Sequence, residues 1–286
     1  MSAAQLTVCR TVAELRAVLG ERREQGETIA LVPTMGALHA GHVSLIERAA
    51  EEADCVVVSV FVNPRQFGDS ADLAAYPREH DRDAEIAAEA GAGVVFCPEP
   101  AEIYPAGFST EVRVTGPLTE TLEGAHRGPE HFHGVTTVVT KLLAIAAPDV
   151  AVFGSKDAQQ LRVIERLVRD LHLPVRIVRA PTVREPDGLA LSSRNVRLSR
   201  GARQQALSLS AALFAARDAV VAGARDRETI LSPALAVLDR HDVAPEYLEL
   251  CDSEDLSSLE TVTGDATIVI AATIGGVRLI DTIDVS

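Results

Sequence analysis

Two histidines three residues apart, His39 and His42, are the side chains whose spacing points most directly to chemistry. They end the run PTMGALHAGH at Pro33–His42, in which small residues separate an apolar stretch from an amphipathic one. A strand that ends here and a helix that begins here would offer backbone N–H groups and partial positive charge to a phosphate chain. The spacing places both imidazoles on one face of a turn, where they can stabilise developing phosphate charge. The alternative is an ordinary pair of surface histidines.

A second candidate segment is GSKD at Gly154–Asp157, which follows the apolar run Val150–Phe153. Lys156 would lie at the carboxyl edge of a sheet, where a cation can bridge phosphates. It is one of only two lysines in the chain, whose other permanently charged basic side chains are arginine. Asp157 is suited to cap the following helix, and that structural role alone would explain it. We expect Gln160 to point into a cleft, the alternative being a side chain that faces solvent.

Two further segments place polar groups after apolar runs. Leu191–Asn195 carries two hydroxyls and the Arg194 guanidinium, a combination that suits a triphosphate. Taken alone, this segment would be a hydrophilic linker with a helix cap. VNPRQF at Val62–Phe67 carries Asn63 and Gln66, whose amides suit a hydroxyl or a carboxylate. Taken alone, it is a strand end followed by a proline turn.

The elements that must position these residues alternate between apolar and amphipathic runs over the first two thirds of the chain. This rhythm predicts an α/β fold, a Rossmann-like, doubly wound parallel sheet over residues 1–181. Over residues 182–286 two helical stretches precede three strand-like runs, which predicts a smaller C-terminal α+β domain. The strands are expected near Thr28–Thr34, Cys55–Val62, Val94–Phe96, Val150–Phe153, Pro174–Arg179, Pro245–Cys251, Ala266–Ala272 and Gly276–Thr282.

Composition restricts the class of protein. The 286 residues are 47% hydrophobic and 24% charged, a globular mixture long enough for two cores. A formal net charge of −14 disfavours nucleic-acid binding, which requires a Lys/Arg surface. No apolar run is long enough to span a bilayer and Met1–Gln5 lacks a basic start, so we expect a cytoplasmic protein without a membrane segment. Four widely separated cysteines predict buried, reduced thiols rather than a disulfide or metal framework.

Together these segments resemble the pantothenate synthetase family, within the nucleotidyltransferase superfamily that the H-x-G-H signature marks. The resemblance covers nearly the whole chain, whereas H-x-G-H alone would leave several cytidylyl- and adenylyltransferases open. The matching blocks are PTMGALHAGH at Pro33–His42, VNPRQF at Val62–Phe67, EGAHRGPEHFHGVTTVV at Glu123–Val139, GSKDAQQ at Gly154–Gln160 and PTVREPDGLALSSRN at Pro181–Asn195.

The resemblance implies a pantoate–β-alanine ligase that forms AMP. In this family the carboxylate of (R)-pantoate attacks the α-phosphate of ATP, and the amine of β-alanine then attacks the pantoyl adenylate to give pantothenate. ATP is the expected co-substrate, and Mg²⁺ is expected with it because a divalent ion offsets triphosphate charge. The resemblance also implies a homodimer through the N-terminal domain. It further implies a C-terminal lid, which would keep water from the adenylate.

The resemblance assigns roles to individual residues. His42 matches the catalytic histidine, a proton donor near the leaving phosphates, and His39 assists it. Lys156 and Arg194 complete the expected catalytic set. Gln66 and Gln160 match the glutamines that hold pantoate, and no protein-held metal is expected. The expected ATP contacts are Met35, Gly36, Ala37, Leu38, His39, Ala40, Gly41, His42, Gly154, Ser155, Lys156, Asp157, Val183, Leu191, Ser192, Ser193 and Arg194.

Four positions depart from the family pattern. Ser155 stands where relatives usually carry glutamate, and Ala158 stands where they carry tyrosine. Leu191 replaces a methionine and keeps an apolar surface for adenine. Arg65 also replaces a methionine, beside Gln66, where its cation either alters the pantoate pocket or turns to solvent.

Rival functions share parts of this pattern. An adenylyltransferase or a cytidylyltransferase would use the same nucleotide segment, but the second domain and the pair of glutamines favour the ligase. A nucleotide-binding regulator without turnover would be expected to lack His42, Lys156 or Arg194, and all three are present.

Three further histidines, His126, His131 and His133, raise the question of a metal site. The alternating spacing of the last two suits one side of a strand. Because no carboxylate or cysteine cluster accompanies them in sequence, we favour structural hydrogen bonds over metal binding.

Overall fold

The computed structural model describes residues 6–67, 73–74, 76 and 78–286. Met1–Gln5, on which the expectation about a signal segment rested, lie outside these residues. The chain divides into two compact units, each of which is described by itself. The first comprises Met1–Gly154 and Val163–Ala180, and the second comprises Ser155–Arg162 and Pro181–Ser286.

Among the described residues, the first unit contains a six-stranded parallel sheet. Its strands are β1 (Thr7–Cys9), β2 (Ile29–Thr34), β3 (Cys55–Val60), β4 (Val94–Phe96), β5 (Val150–Gly154) and β6 (Arg176–Ala180). Their order across the sheet is β1-β4-β3-β2-β5-β6. From β2 the chain therefore runs outward through β3 to β4, then returns and adds β5 on the other side of β2. Such a reversal of strand order is where open α/β sheets bind ligands.

The central strands are apolar because both of their faces are covered. All six residues of β3 are buried, and Ile29 to Val32 of β2 are buried as well. The pairing of β2 with β3 is parallel from Ile29 opposite Cys55 to Thr34 opposite Val60. Each fully buried valine or isoleucine contributes about 1.5–3 kcal/mol, so the sheet centre is the most strongly fixed part of this unit. The Rossmann-like expectation is confirmed.

Helices connect these strands and cover the sheet. Two elements near the N-terminus, β1 and the helix Val12–Glu24, were not predicted, although the sequence carries a helix start signal there. Thr11 and Glu14 form a capping box in which each side chain accepts a backbone N–H of the other. In chain order the helices are α1 (Val12–Glu24), α2 (Ala40–Glu52), α3 (His80–Glu89), α4 (Pro100–Ile103), α5 (Pro117–Glu120), α6 (Glu123–Arg127), α7 (Pro129–Ala146) and α8 (Ala158–Asp170).

Helix α7 corrects one sequence interpretation. It begins at Pro129, a residue favoured at the first helical position because it has no N–H to leave unsatisfied. His131 and His133 therefore lie on a helix, and the strand interpretation of their spacing is wrong. The two side chains project from different sides of α7 rather than from one side of a strand.

The second unit consists of two long helices and a three-stranded antiparallel sheet among its described residues. Its elements are α9 (Arg200–Val221), α10 (Arg227–Arg240), β7 (Tyr247–Asp252), β8 (Ala266–Ile274) and β9 (Val277–Val285), with the strands in the order β7-β8-β9. Ala206, Ala212 and Ala216 are buried along α9, so the helix can lie close to its neighbours in one shared core. The predicted order of helices followed by strands is confirmed.

The four cysteines are buried free thiols, as the sequence predicted. Burial raises the pKa of Cys97 to about 11 and that of Cys251 to about 12. Both thiols therefore stay protonated at neutral pH and have little nucleophilic character. In the described part of the chain, no helix combines the length and apolarity that a membrane crossing requires.

The hairpin between β8 and β9 generates a stability prediction. Gly275 and Gly276 both have positive φ, as a two-residue type I′ turn requires. A Cβ at Gly275 would lie 2.6 Å from the Ala202 Cβ, whereas a Cβ at Gly276 would meet nothing within 4 Å. Gly276→Ala should lower the free energy of unfolding by about 1–2 kcal/mol through backbone strain alone. Gly275→Ala should cost a further ~1–3 kcal/mol through overpacking.

Urea denaturation of the two variants measures this difference. Ala202→Gly in the Gly275→Ala background removes the clash and should bring the two turn variants closer together in stability. Equal losses for Gly275→Ala and Gly276→Ala would show that the contact with Ala202 is unimportant.

Candidate active site

The PTMGALHAGH segment forms the turn from β2 into α2. At the end of β2 the Thr34 hydroxyl donates to the Ser59 carbonyl at 2.7 Å and accepts the Gly36 N–H at 3.2 Å. The backbone then reverses through two residues of positive φ, Gly36 at +83° and Ala37 at +51°. This conformation suits glycine and strains alanine. The turn is therefore a specified structure rather than a flexible loop.

The two histidines cap α2 reciprocally. His39 is the N-cap residue, and its Nδ1 accepts the Gly41 N–H at 3.1 Å. The Nδ1 of His42 accepts the His39 N–H at 3.3 Å, which completes a capping box made of imidazoles. Because each Nδ1 accepts a hydrogen bond, each neutral ring carries its proton on Nε2. The ring centroids are 4.1 Å apart, so this geometry holds two Nε2–H donors together at a helix N-terminus.

A buried carboxylate lies behind this turn. Asp83 of α3 is 1% exposed, and its oxygens accept the Leu38 N–H at 2.8 Å and the Ala37 N–H at 3.1 Å. Sequence reasoning missed this residue, because about 45 residues separate it from the turn. The sequence carried one signal for it: Asp83 lies four residues before Ala87, so both residues fall on the buried face of α3.

Asn63 organises the loop that follows β3. It is 1% exposed and its amide is saturated. Its Nδ2 donates to Gln66 Oε1 at 3.0 Å and to the Gly134 carbonyl at 3.1 Å. Its Oδ1 accepts the Arg65 N–H at 3.3 Å and the Tyr104 hydroxyl at 2.8 Å. Asn63 therefore orients its neighbours, and the hydroxyl that its amide contacts is that of Tyr104.

Gln66 is held at both its side chain and its backbone. Its Nε2 donates to the Met35 sulfur at 2.9 Å, so the loops after β2 and β3 meet through these two residues. Its carbonyl accepts a hydrogen bond from His131 Nδ1 at 2.9 Å. The structural hydrogen bond expected for the histidine group is confirmed at His131. Burial raises the pKa of Tyr104 to about 12, which keeps its hydroxyl a donor to Asn63.

Arg65 is paired within the protein rather than simply turned to solvent, and its effect on the pantoate pocket stays a prediction. Its guanidinium forms an ion pair with Glu111 at 2.5 Å and lies 5.6 Å from the Tyr104 ring and 5.4 Å from the Phe108 ring. The side chain is 34% exposed, so it is neither fully solvated nor unpaired. The positive charge that departs from the family pattern is thus neutralised locally.

In the second unit, the segment after β6 is a hairpin rather than a linker. The Leu191 N–H donates to the Val183 carbonyl at 3.0 Å, and Arg184 forms an antiparallel bridge with Ala190. Arg184 also binds the buried Asp281 through two hydrogen bonds of 2.6 and 3.0 Å. Two predicted ATP contacts, Val183 and Leu191, are therefore paired across one rigid hairpin.

Ion pairs and a hydrogen bond stabilise the end of this hairpin at Leu191 to Asn195. Asn195 Nδ2 donates to Glu185 Oε1 at 2.7 Å, and Arg203 binds both Glu185 and Asp187 at 2.6 Å. The hydrogen bond from Arg203 is the main cause that lowers the pKa of Glu185, so this carboxylate stays ionised and holds Asn195. Ser192 Oγ accepts the Arg194 N–H at 3.2 Å, which turns the chain at the predicted phosphate-binding residues.

The GSKDAQQ segment connects β5 to α8. Asp157 is exposed, and its carbonyl accepts the Leu161 N–H at 2.9 Å, in keeping with a helix-start role. Lys156 and Gln160 are half-buried. Burial raises the pKa of Asp281, while the hydrogen bond from Arg184 and the charge of Lys156 act against that rise. Lys156 is therefore within electrostatic reach of the ion pair at the base of the hairpin.

The predicted site residues thus form two groups. The first unit holds Met35 to His42, Gln66 and Gly154, and the contact between Met35 and Gln66 joins the first two of these. The second unit holds Ser155 to Gln160 and the hairpin from Val183 to Arg194. Across the described ranges, no three histidine, cysteine, aspartate or glutamate side chains are grouped as a metal site.

Comparison with known proteins shows which family the chain belongs to. The family model described as Pantoate-beta-alanine ligase matches residues 7–284. The chain belongs to the pantoate-beta-alanine ligase family. Pantothenate synthetase from Chelativorans sp. (strain BNC1) is 50% identical over 279 residues, which cover 98% of each chain. This ligase family is the one that the sequence motifs resembled, and the resemblance is confirmed.

Solved structures agree in fold. Pantothenate synthetase from Thermus thermophilus matches with a TM-score of 0.90 and 45% identity, covering 97% of this chain and 98% of that one. Pantoate-beta-alanine ligase from Francisella tularensis, in complex with beta-gamma ATP and beta-alanine, matches with a TM-score of 0.80 and 33% identity. The match covers 98% of this chain and 97% of that one.

A prediction for this ligase follows from the packing of α7 against the Gln66 loop. A Cβ at Gly134 would lie 2.6 Å from the Arg65 carbonyl carbon and 2.8 Å from the Gln66 nitrogen, both backbone atoms that cannot rotate away. Gly134→Ala should therefore lower the free energy of unfolding by about 1–3 kcal/mol. Gly20→Ala in α1 is the matched control, since a Cβ there meets nothing within 4 Å. This helical replacement should instead raise stability by about 0.5–1 kcal/mol.

Thermal and urea unfolding of both variants, followed by circular dichroism, give the sign of each effect. A Gly134→Ala protein as stable as the Gly20→Ala protein would contradict the close approach of α7 to the loop.

Proposed function

We propose that this chain condenses (R)-pantoate with β-alanine to form pantothenate, using ATP and releasing AMP and pyrophosphate through a pantoyl adenylate. The observation that carries the proposal is the pair of imidazoles fixed as a helix cap, beside the joined side chains of Met35 and Gln66. ATP and β-alanine as substrates are supported by the Francisella tularensis relative, which was solved with beta-gamma ATP and beta-alanine. Membership of the family supports pantoate as the third substrate.

In the first step, a carboxylate oxygen of pantoate attacks the α-phosphorus of ATP, and the bond to the β-phosphate oxygen breaks. Negative charge grows on the phosphate oxygens and on the leaving pyrophosphate. The Nε2–H groups of His42 and His39 donate hydrogen bonds to these oxygens, and His42 stabilises the charge without giving up its proton, since its Nδ1 already accepts the His39 N–H. Lys156 and Arg194 balance charge on the β- and γ-phosphates. Donors fixed before the reaction need little reorganisation, and this is the main source of catalysis here.

Substrate positioning uses neutral groups. We assign the pantoate contacts to Gln66 and Gln160, whose amides can donate to a carboxylate and accept from a hydroxyl. Hydrogen bonds to Asn63 and Met35 orient the Gln66 side chain before substrate binds. The proposed ATP contacts are Met35 to His42, Gly154 to Asp157, Val183, and Leu191 to Arg194. Leu38 contributes through position only, since its side chain is buried and its N–H is bonded to Asp83.

In the second step, the neutral amine of β-alanine attacks the acyl carbon of the adenylate, AMP leaves as the acyl–oxygen bond breaks, and the proton lost by the amine passes to the phosphate of the leaving AMP. No protein nucleophile takes part, in keeping with the protonated state of the buried thiols. We assign residues 1–181 to nucleotide and pantoate binding and residues 182–286 to a lid. A lid suits this chemistry because water would otherwise hydrolyse the adenylate.

Three further parts of the proposal rest on the family. Mg²⁺ accompanies ATP as the ion that neutralises its phosphates. The described carboxylates do not gather into a protein cage for such an ion, so no step is assigned to a protein-held metal. The active form is a homodimer through the N-terminal domain, and the enzyme acts in the cytoplasm.

The function is tested by isotope exchange between pyrophosphate and ATP. The protein with ATP and Mg²⁺ should exchange label only when pantoate is added, because adenylate formation is reversible and needs the carboxylate. Addition of β-alanine should then produce AMP and pantothenate in equal amounts. Exchange that does not depend on pantoate, or an absence of AMP, would refute the ligase assignment. Transfer of AMP to another nucleotide or alcohol would instead support the transferase alternatives.

The role of His42 can be separated from its role as a cap. His42→Gln keeps a side chain that can accept the His39 N–H, since glutamine is a common third residue of a capping box. His42→Ala removes both the acceptor and the imidazole. Both variants should lose about 10²–10³-fold in exchange rate, as for other single charge-stabilising donors. His42→Gln should stay close to the wild-type melting temperature, whereas His42→Ala should lose about 0.5–2 kcal/mol of stability.

His241→Ala is the control, because this exposed histidine lies at the end of α10 in the second unit. It should retain wild-type exchange. A His42→Gln protein with near-normal exchange would remove the imidazole from the chemistry and leave it a structural cap.

A further inference from the structure

A buried carboxylate outside the proposed set of site residues controls how the histidines are presented. We infer that Asp83 is a positioning residue for adenylation: its carboxylate fixes the turn that carries His39 and His42 and directs phosphate away from the first amides of that turn. The inference rests on the proposed function, because it concerns the same nucleotide site. It adds a residue that acts through the turn rather than on a substrate.

The first argument is the geometry of the two hydrogen bonds. One oxygen of Asp83 accepts the Leu38 N–H at 2.8 Å, and the other accepts the Ala37 N–H at 3.1 Å. Two acceptor oxygens on one rigid group match two successive amides, as an ionised carboxylate can and a neutral amide cannot. Helix α3 thereby holds the turn from behind at two points.

The second argument is the space reserved for the carboxylate. A Cβ at Gly36 would lie 2.8 Å from Asp83 Oδ2, so the approach of this oxygen depends on the absence of a side chain there. The next residue, Ala37, has φ of +51°, which a non-glycine residue adopts only when its surroundings impose it. The hydrogen bond to its N–H supplies such a constraint.

The third argument follows the chain toward the imidazoles. Leu38 is anchored at its N–H by Asp83 and at its side chain by the core beneath α2. His39 follows directly, caps α2, and donates its own N–H to His42. A shift at Leu38 is therefore transmitted to both rings through one peptide bond and one hydrogen bond. Misplacement of reacting groups by about 1 Å can cost about 10²-fold in rate.

The fourth argument concerns where phosphate can bind. In many strand–turn–helix sites the amides of the turn itself cradle phosphate. Here the amides of Ala37 and Leu38 are already bonded to an anion, which would also repel a phosphate placed against them. The phosphates are therefore directed to the imidazole donors beyond the turn. This arrangement explains why a pair of histidines, rather than backbone alone, carries the charge.

A purely structural role is the competing explanation, and burial argues against it. An aspartate on the buried face of a helix loses hydration, and an apolar residue would fill that face at lower cost. The contribution of Asp83 at this position is a double contact with the turn that carries the histidines. We therefore expect replacement of Asp83 to lower the rate of adenylation more than it lowers the free energy of unfolding.

The test compares Asp83→Asn with Asp81→Asn, a matched control that changes an exposed aspartate on the same helix. Asparagine offers one acceptor and one donor, so it loses the bond to one of the two amides. Pantoate-dependent exchange should show kcat lower by about 10²-fold in Asp83→Asn, with the KM for pantoate nearly unchanged, since Gln66 is not displaced. Asp81→Asn should match the wild type in both constants.

A second readout reports the histidines directly. Nitrogen-15 spectra of the imidazoles distinguish the two neutral tautomers, and wild-type His39 and His42 should show the proton on Nε2. In Asp83→Asn the two signals should shift toward a mixture of tautomers, because the capping hydrogen bonds are weakened. Asp83→Ser, which is smaller and cannot overpack, should give the same pattern and serves where Asp83→Asn does not fold.

Wild-type kcat and unchanged tautomers in a folded Asp83 variant would overturn the inference. Failure of both Asp83 variants to fold, while Asp81→Asn folds, would also overturn it, since the residue would then be structural. An absence of exchange in the wild type and in Asp81→Asn would instead refute the proposed function. In that case the tautomer spectra still decide whether Asp83 positions the two histidines.

Discussion

Parallel pairing on both sides of β2 is the constraint on which the candidate site depends. The register fixes Ile29 to Thr34 against Cys55 to Val60, and β5 pairs with the other edge of β2. The carboxyl ends of these strands therefore emerge at one edge of the sheet. The loops after β2 and β3 have to meet there, and the contact between Met35 and Gln66 is the result. Without this register, residues about thirty positions apart in sequence would have no reason to form one site.

The two units stabilise their candidate segments by different physical means. In the first unit, Asn63 saturates a neutral hydrogen-bond network that holds the Gln66 loop. In the second unit, ion pairs hold the hairpin, with Arg184 on Asp281 and Arg203 on Glu185. Neutral networks respond little to ionic strength, whereas the partly exposed pair of Arg203 with Glu185 weakens as salt screens it and the buried pair of Arg184 with Asp281 is screened less. The hairpin is therefore the part of the candidate site whose support depends more on solution conditions.

The sequence predicts what is local and misses what is distant. Local patterns of apolar residues make some elements recognisable. Continuous apolar runs indicate the buried strands β3 and β4, and helical periodicity indicates α10. In the three-residue strand β1 only Cys9 is buried, so it shows no apolar run, whereas all three residues of β4 are buried. Asp83 and Gly134 act over 45 and 71 residues of sequence separation. Periodicity gives no information about such pairs, since only the packed fold decides which buried polar groups meet. Resemblance to a family supplied the candidate site residues but not Asp83 and Gly134, which contact the loops that carry them.

The reciprocal cap at the start of α2 has a consequence for how this site can vary. Most helices use serine, threonine, aspartate or asparagine as a cap, and the chemistry of the protein is unaffected by the choice. Here the groups that begin the helix are the same imidazoles assigned to the phosphate. A replacement that removes the cap acceptor, such as alanine, changes folding and reactivity together, whereas glutamine at position 42 can keep the cap and lose the imidazole. Evolution of a new reaction on this scaffold is therefore restricted, at these two positions, to the few residue types that can still start α2.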